Sequence, residues 1–221
     1  MASPYKILSA LLSYPTEELA ADAAEIADIV RLTEEFSAPV RQGLAELALD
    51  LSGSDLIDSQ SRYVDLFDRS RSLSLHLFEH VYGESRDRGQ AMVDLRERYR
   101  AAGLDIASNE LPDYLPLLLE FLAQRPEEEA RQLLGDAAHV LRALRERLQE
   151  RGSVYAPVFA ALEELGQREP DAEQLAAMRE AKIDDPSDLA ALDRVWQETE
   201  VQFGPNGFET GCPSARPAAR V

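Results

Sequence analysis

From residue 4 to residue 203 the apolar side chains recur three and four positions apart, and nowhere do they alternate over a useful length. A period near 3.6 buries one face of a helix, whereas a half-buried strand needs a period of two. The chain is therefore predicted to be all-α, a single-domain bundle of about ten helices over residues 1–203. Its 221 residues suffice for one sizeable core. Residues 204–221 are dominated by Gly, Pro, Ser and Ala without periodicity and read as a flexible tail.

Residues 74–94 organise the rest, as two helices joined at a tight break. Leu73, Leu75, Leu77, Phe78, Val81 and Tyr82 cover most of the first helix, so it is expected to be largely buried. His76, Glu79, His80 and Gly83 fall on the one remaining stripe. Gly83 can adopt the left-handed conformation that ends a helix. Ser85 can cap the next helix, with Asp87 in its first turn. There Met92, Leu95, Tyr99 and Ala102 form the core stripe, and Asp87, Gln90 and Asp94 a separate polar face.

Elsewhere, Ser3 and Pro4 start one helix and Thr16 caps a second. Further helices are expected over residues 39–51 and 55–68. In residues 110–122, two prolines four apart would disrupt a helix interior; with Asp113 as cap, Pro116 falls harmlessly in the first turn. One long helix is expected over residues 126–151, with Ala130, Leu133, Leu134, Ala137, Leu141, Leu144 and Leu148 as a continuous stripe. Glu127, Glu128 and Glu129 at its start, and Arg142, Arg145, Arg147 and Arg151 toward its end, complement the helix dipole. Amphipathic helices follow over residues 155–165, 171–181 and 189–203, the last carrying Leu192, Val195, Trp196 and Phe203.

The net charge of −18 and a pI near 4.5 argue against nucleic acid as partner and favour a basic one. No apolar run approaches the roughly 20 residues that span a bilayer, so no integral membrane protein is expected. The single cysteine, Cys212, excludes an internal disulfide framework. With no secretory pattern at residues 1–8, the expected location is cytoplasmic.

The sequence His76-Leu-Phe-Glu79-His80 matches the His-x-x-Glu-His pattern of inverted zinc proteases. Histidines four apart on a helix can share a metal, with the glutamate as general base. A third ligand does not stand out, His139 being the only other histidine. A zinc metallohydrolase is thus the alternative. The other functional option is a groove for a basic amphipathic helix, with an apolar floor and an acidic rim that includes Asp87, Asp94 and Asp113.

Residues 74–95 strongly resemble the signature of the NarJ family, the assembly chaperones of respiratory nitrate reductase. Glu110-Leu-Pro-Asp-Tyr-Leu-Pro116 with Leu119-Glu-Phe-Leu122 resembles the family's second motif, and residues 63–69 and 195–203 also fit its pattern. Two departures are Tyr82, where the family often has His, and His76, where an apolar residue is usual. The resemblance implies a TorD-like helical chaperone that is not an enzyme and has no resident cofactor. Its implied partner is the N-terminal basic amphipathic segment of the apo catalytic subunit, with molybdenum cofactor delivery proteins as further partners. Such a chaperone holds the apoenzyme in the cytoplasm and permits molybdenum cofactor and iron–sulfur insertion before membrane docking. The implied client-binding residues are Phe78, Glu79, His80, Gly83, Arg86, Asp87, Arg88 and Gln90 in the first motif, and Glu110, Leu111, Pro112, Asp113 and Pro116 in the second.

Overall fold

The computed structural model describes residues 3–83, 85–106 and 110–180, all within one compact unit, Met1–Pro186. The expected helix over residues 189–203, the motif at 195–203, Cys212 and the tail at 204–221 lie outside the described residues.

Eleven α-helices and no strand occur among the described residues. Helix α1 (Pro4–Leu12) buries Tyr5, Leu8, Leu11 and Leu12, with Pro4 opening its first turn. Thr16 accepts from the Leu19 amide at 3.1 Å and so caps α2 (Glu17–Arg31). Helix α2 packs along α3 (Ala38–Gly53). Asp55 caps α4 (Leu56–Tyr63) through the amides of Ile57 and Asp58. The chain then widens into a π turn, Val64–Asp68, where the sequence suggested a continuing α-helix. That turn directs Phe67 inward, edge-on to Tyr63 at 5.0 Å and to Tyr155 at 5.1 Å.

A 3-10 turn (Arg71–Leu73) leads into α5 (Leu77–Tyr82) and α6 (Asp87–Ala101). After them come α7 (Leu115–Leu122), α8 (Glu127–Asp136), α9 (Ala138–Glu150), α10 (Ala156–Gly166) and α11 (Ala172–Glu180). Pro116 sits in the first turn of α7, as the proline spacing required. Helix α7 lies against α1, where the Ser9 hydroxyl donates to the Pro116 carbonyl at 2.8 Å. Helices α8, α9 and α10 form a second packed group, with α10 reaching back to α3.

The long helix expected over residues 126–151 is two helices. Ala137, at φ −93° and ψ 6°, interrupts it, and its amide bonds Leu134 three residues back. The apolar stripe runs across the break undisturbed, so the period carries no trace of it. Two glycines show what the break accommodates. A Cβ on Gly166 would lie 3.3 Å from the Leu134 side chain, and one on Gly135 would lie 3.1 Å from Arg168.

Arg147 also departs from its expected role at the helix end. It is buried, and its guanidinium donates to the Ser72 carbonyl at 2.7 Å and to the Met178 carbonyl. It therefore ties the turn before α5 to α11.

Gly43 faces Pro157 of α10 so closely that a Cβ would stand 2.5 Å from the proline ring, whereas Gly89 in α6 has open space. Gly43→Ala is expected to lose about 1–3 kcal/mol to overpacking. Gly89→Ala is expected to gain up to ~1 kcal/mol from helix propensity. Urea denaturation of both variants checks the opposite signs; destabilisation by both would remove the close α3–α10 approach as the cause.

A groove built on the first motif

The two motifs meet through one carboxylate. Asp113, fully buried, accepts from the Phe78 amide at 3.0 Å and from His76 Nδ1 at 3.2 Å. Its own carbonyl accepts from the Leu77 amide at 3.2 Å. His76 and Tyr114 form an antiparallel bridge beside it, and the Leu115 amide donates to the Leu75 carbonyl at 2.9 Å. The residue before α7 is thus Tyr114, and Asp113 satisfies the first turn of α5 instead. This corrects both expectations for Asp113: it neither caps its own helix nor stands on a solvent rim.

The helix expected from Ser74 begins only at Leu77. Leu73 and Leu75 are buried as expected, but in a 3-10 turn and a bend. Phe78 and Tyr82 are half-buried and Val81 is 48% exposed, so α5 is not covered on most sides. His76 precedes the helix, and the four-residue helical spacing that a His-x-x-Glu-His metal site needs does not form. His80 faces elsewhere, its Nε2 2.8 Å from the Ser74 carbonyl. Among the described residues no group of three or more His, Cys, Asp or Glu could hold a metal ion.

Opposite influences act on the two histidines. The Asp113 hydrogen bond raises the His76 pKa against the opposing effect of burial, helped by the charges of Asp113, Glu79 and Glu110. Burial lowers that of His80, whose Nε2 faces the Ser74 carbonyl as donor. Burial pushes the Glu79 carboxyl up, but hydrogen bonds from Ser74 and Arg88 outweigh it and hold the group below its usual value. The Arg88–Glu79 contact, 3.1 Å, joins α6 to α5.

Much of the remaining carried-over set is structural. Pro112 and Pro116 are buried, and the Pro112 carbonyl accepts from Tyr99 at 2.7 Å. Gly83 ends α5 at φ 54°, where a side chain would be strained. The residue before α6 is Arg86 rather than the expected cap Ser85, whose hydroxyl accepts from the Asp87 amide at 3.2 Å from one position further back. Arg86, Asp87, Gln90, Glu110 and Leu111 are exposed, and Gln90 donates to Asp94 at 2.7 Å.

Phe78, Val81 and Tyr82 open onto a groove of roughly 460 Å³. Its other walls come from Ala91, Asp94, Leu95 and Arg98 of α6, Leu118 of α7, Leu133 and Asp136 of α8, Ala137, His139 of α9 and Gln174 of α11. Leu133 and Ala137, members of the expected apolar stripe, pack against the core and are half-buried, so they also line this groove. The lining is predominantly apolar, with Asp94 and Asp136 at its edge and Asp136 held by Arg168 at 2.6 Å. A larger polar cleft lies between α3, α9 and α10, where Glu163 accepts from Arg142 at 2.7 Å and Arg145 at 3.0 Å.

Residues 33–161 match the model of the family described as the nitrate reductase delta subunit. The chain is 44% identical over 199 residues to the nitrate reductase molybdenum cofactor assembly chaperone NarJ of Escherichia coli K12, covering 89% of this chain and 83% of that one. This chain belongs to the NarJ family. A second E. coli family member, NarW, also described as an assembly chaperone, is 36% identical over 210 residues, covering 95% of this chain and 87% of the relative. The NarJ-family fold is also similar to a crystal structure described as a redox enzyme maturation protein from Archaeoglobus fulgidus. That likeness has a TM-score of 0.54 at 24% identity, over 74% of this chain and 92% of the other.

Asp113→Ala is expected to cost about 3–5 kcal/mol, because it leaves His76 and the Phe78 amide without their buried acceptor. Asp113→Asn retains an acceptor and should cost less. Because the folded pKa of His76 is raised, its ion-pair stabilisation is full below its ordinary 6.5 and is lost as pH rises through the folded value. The stability gap between parent and Asp113→Asn, measured by denaturation from pH 6 to 8.5, should therefore narrow with rising pH. A gap that widens over that range contradicts this assignment.

Proposed function

We propose that this chain is the assembly chaperone of a respiratory nitrate reductase and binds the N-terminal segment of the apo catalytic subunit in the groove on α5. The observation that carries the proposal is an open apolar groove on the first motif in a chain of the NarJ family. Phe78, Val81 and Tyr82 are available there, while Asp113 keeps α5 in place from behind. An amphipathic helix laid in such a groove buries its apolar face, and its basic side meets Asp94 and the wider negative field of the protein.

The chaperone holds the apoenzyme in the cytoplasm while molybdenum cofactor and iron–sulfur groups are inserted, and releases it before membrane docking. The E. coli relatives are described as molybdenum cofactor assembly chaperones, which supports the first of these insertions. Of the carried-over residues, Phe78 touches the client directly. Glu79, His80, Arg88, Pro112, Asp113 and Pro116 act by fixing the frame.

Apolar contact supplies most of the affinity, because an exposed ion pair contributes about 0–1 kcal/mol. Titration calorimetry with the N-terminal segment of the catalytic subunit tests the proposal. Phe78→Ala should weaken binding at least tenfold, about 1.4 kcal/mol. It should destabilise the domain by less than the about 3–5 kcal/mol of a fully buried ring. Asp94→Asn should slow association, an effect lost at high salt. Unchanged affinity in Phe78→Ala, with the domain folded, would place the segment elsewhere.

A further inference from the structure

Helix α6 is unusual in this chain. Between residues 86 and 100 it carries five arginines against three carboxylates, although the whole chain has a net charge of −18. Only Leu95 and Tyr99 of the helix are buried. Elsewhere the arginines are mostly engaged: Arg31, Arg62, Arg69, Arg131, Arg142, Arg145, Arg168 and Arg179 all hold carboxylates. Arg88 is engaged too, through Glu79. Among the described residues the other four make no ion pair despite the surplus of carboxylates in the chain: Arg98, which lines the groove, and a set of three, Arg86, Arg96 and Arg100.

These three arginines are arranged on one side. Arg86, Gly89, Val93, Arg96 and Arg100 follow one another at spacings of three and four, which places them in a single stripe. Asp87, Asp94 and Glu97 fall beside that stripe, toward the groove to which Asp94 contributes. The basic stripe also carries apolar surface, with Val93 51% exposed. Next to it, Gly83, Arg86, Gly89, Met92 and Leu111 line a shallow depression of roughly 600 Å³, and Leu111 is 45% exposed. Helix α6 therefore separates two surfaces: the acid-edged groove on one side and a basic, partly apolar stripe on the other.

We infer that the stripe Arg86–Val93–Arg96–Arg100, together with Leu111, is a docking surface for an acidic, amphipathic protein segment, distinct from the groove on α5. Unpaired arginines beside exposed apolar side chains attract carboxylates over distance and then bury apolar surface on contact. A basic client segment is repelled from this side and drawn to the other. The two surfaces can be occupied together, so the chain can bridge its client and a second, acidic protein.

The probe is a synthetic 15-residue amphipathic peptide of Glu and Leu, titrated into the isotopically labelled full chain. The expected result is movement of the Arg86, Val93, Arg96, Arg100 and Leu111 resonances, with those of Phe78 and Val81 unmoved. Binding should weaken as salt rises. The double variant Arg96→Glu/Arg100→Glu should bind the probe at least ~10-fold more weakly. Its melting temperature should be unchanged, and so should its binding of the catalytic-subunit segment. Leu111→Ser, which leaves every charge in place, should also weaken the probe. Overturning results are resonance changes centred on the groove, or full affinity in the double variant. Tighter binding at these arginines by phosphatidylglycerol vesicles or polyuridylate than by the acidic peptide would also overturn the inference, assigning the stripe to a membrane or to nucleic acid.

Discussion

The Asp113 carboxylate is the contact on which the site depends. A helix of six residues has more unsatisfied amides at its start than it can offset by its own hydrogen bonds. Helix α5 is stable because Asp113, from a segment 35 residues downstream, accepts its first free amide, while His76 covers another oxygen of the same group. The backbone pairing of Leu75 with Leu115 and of Leu77 with Asp113 fixes the register. With the back of α5 held in this way, its front can remain open. A half-exposed Phe78 beside a 48%-exposed Val81 costs apolar surface, and that cost persists in the free protein because the frame prevents collapse.

Several further contacts reinforce that frame. Arg88 reaches from α6 to Glu79, Tyr99 from α6 to the Pro112 carbonyl, and Arg147 from α9 to the Ser72 carbonyl. Each ends on the motifs or the turn before them, two of them from α6 and one from α9. The result is a junction in which the segment before α7, α6 and α9 together fix the position of α5. The same helix α6 that supplies Arg88 and Tyr99 inward presents Asp94 to the groove and its arginine stripe to the opposite side. One helix thereby presents an acidic residue and a basic stripe on different sides while its buried face maintains the junction.

The sequence revealed the helical class and most helix starts, because caps and apolar periods are local. Thr16 and Asp55 both accept from amides just ahead of them, and Ser85 falls one residue short of the helix it was expected to cap. What it hid was set by tertiary contact. The break at Ala137 lies within an unbroken apolar stripe, so no period marks it. Arg147 looked like a helix-end charge, and only its burial reveals two carbonyl partners. His76 and His80 fit a metal-binding pattern on an assumed helix, and the pairing of His76 with Tyr114 in extended backbone removes that assumption. Of the second motif, Leu111 and Glu110 are exposed while Pro112, Asp113 and Pro116 are interior. That division depends on which residues face α5 and α1, and spacing does not encode it.

The central claim is that the groove over Phe78 and Val81, rather than the larger polar cleft around Glu163, receives the N-terminal segment of the catalytic subunit. The most direct measurement is an NMR titration of that segment into the labelled full chain. The account predicts that the resonances of Phe78, Val81, Leu118 and Leu133 move first and saturate together, while those of Arg142, Gln149 and Glu163 stay still. Saturating changes confined to Arg142, Gln149 and Glu163, with Phe78 and Val81 unmoved, would contradict it.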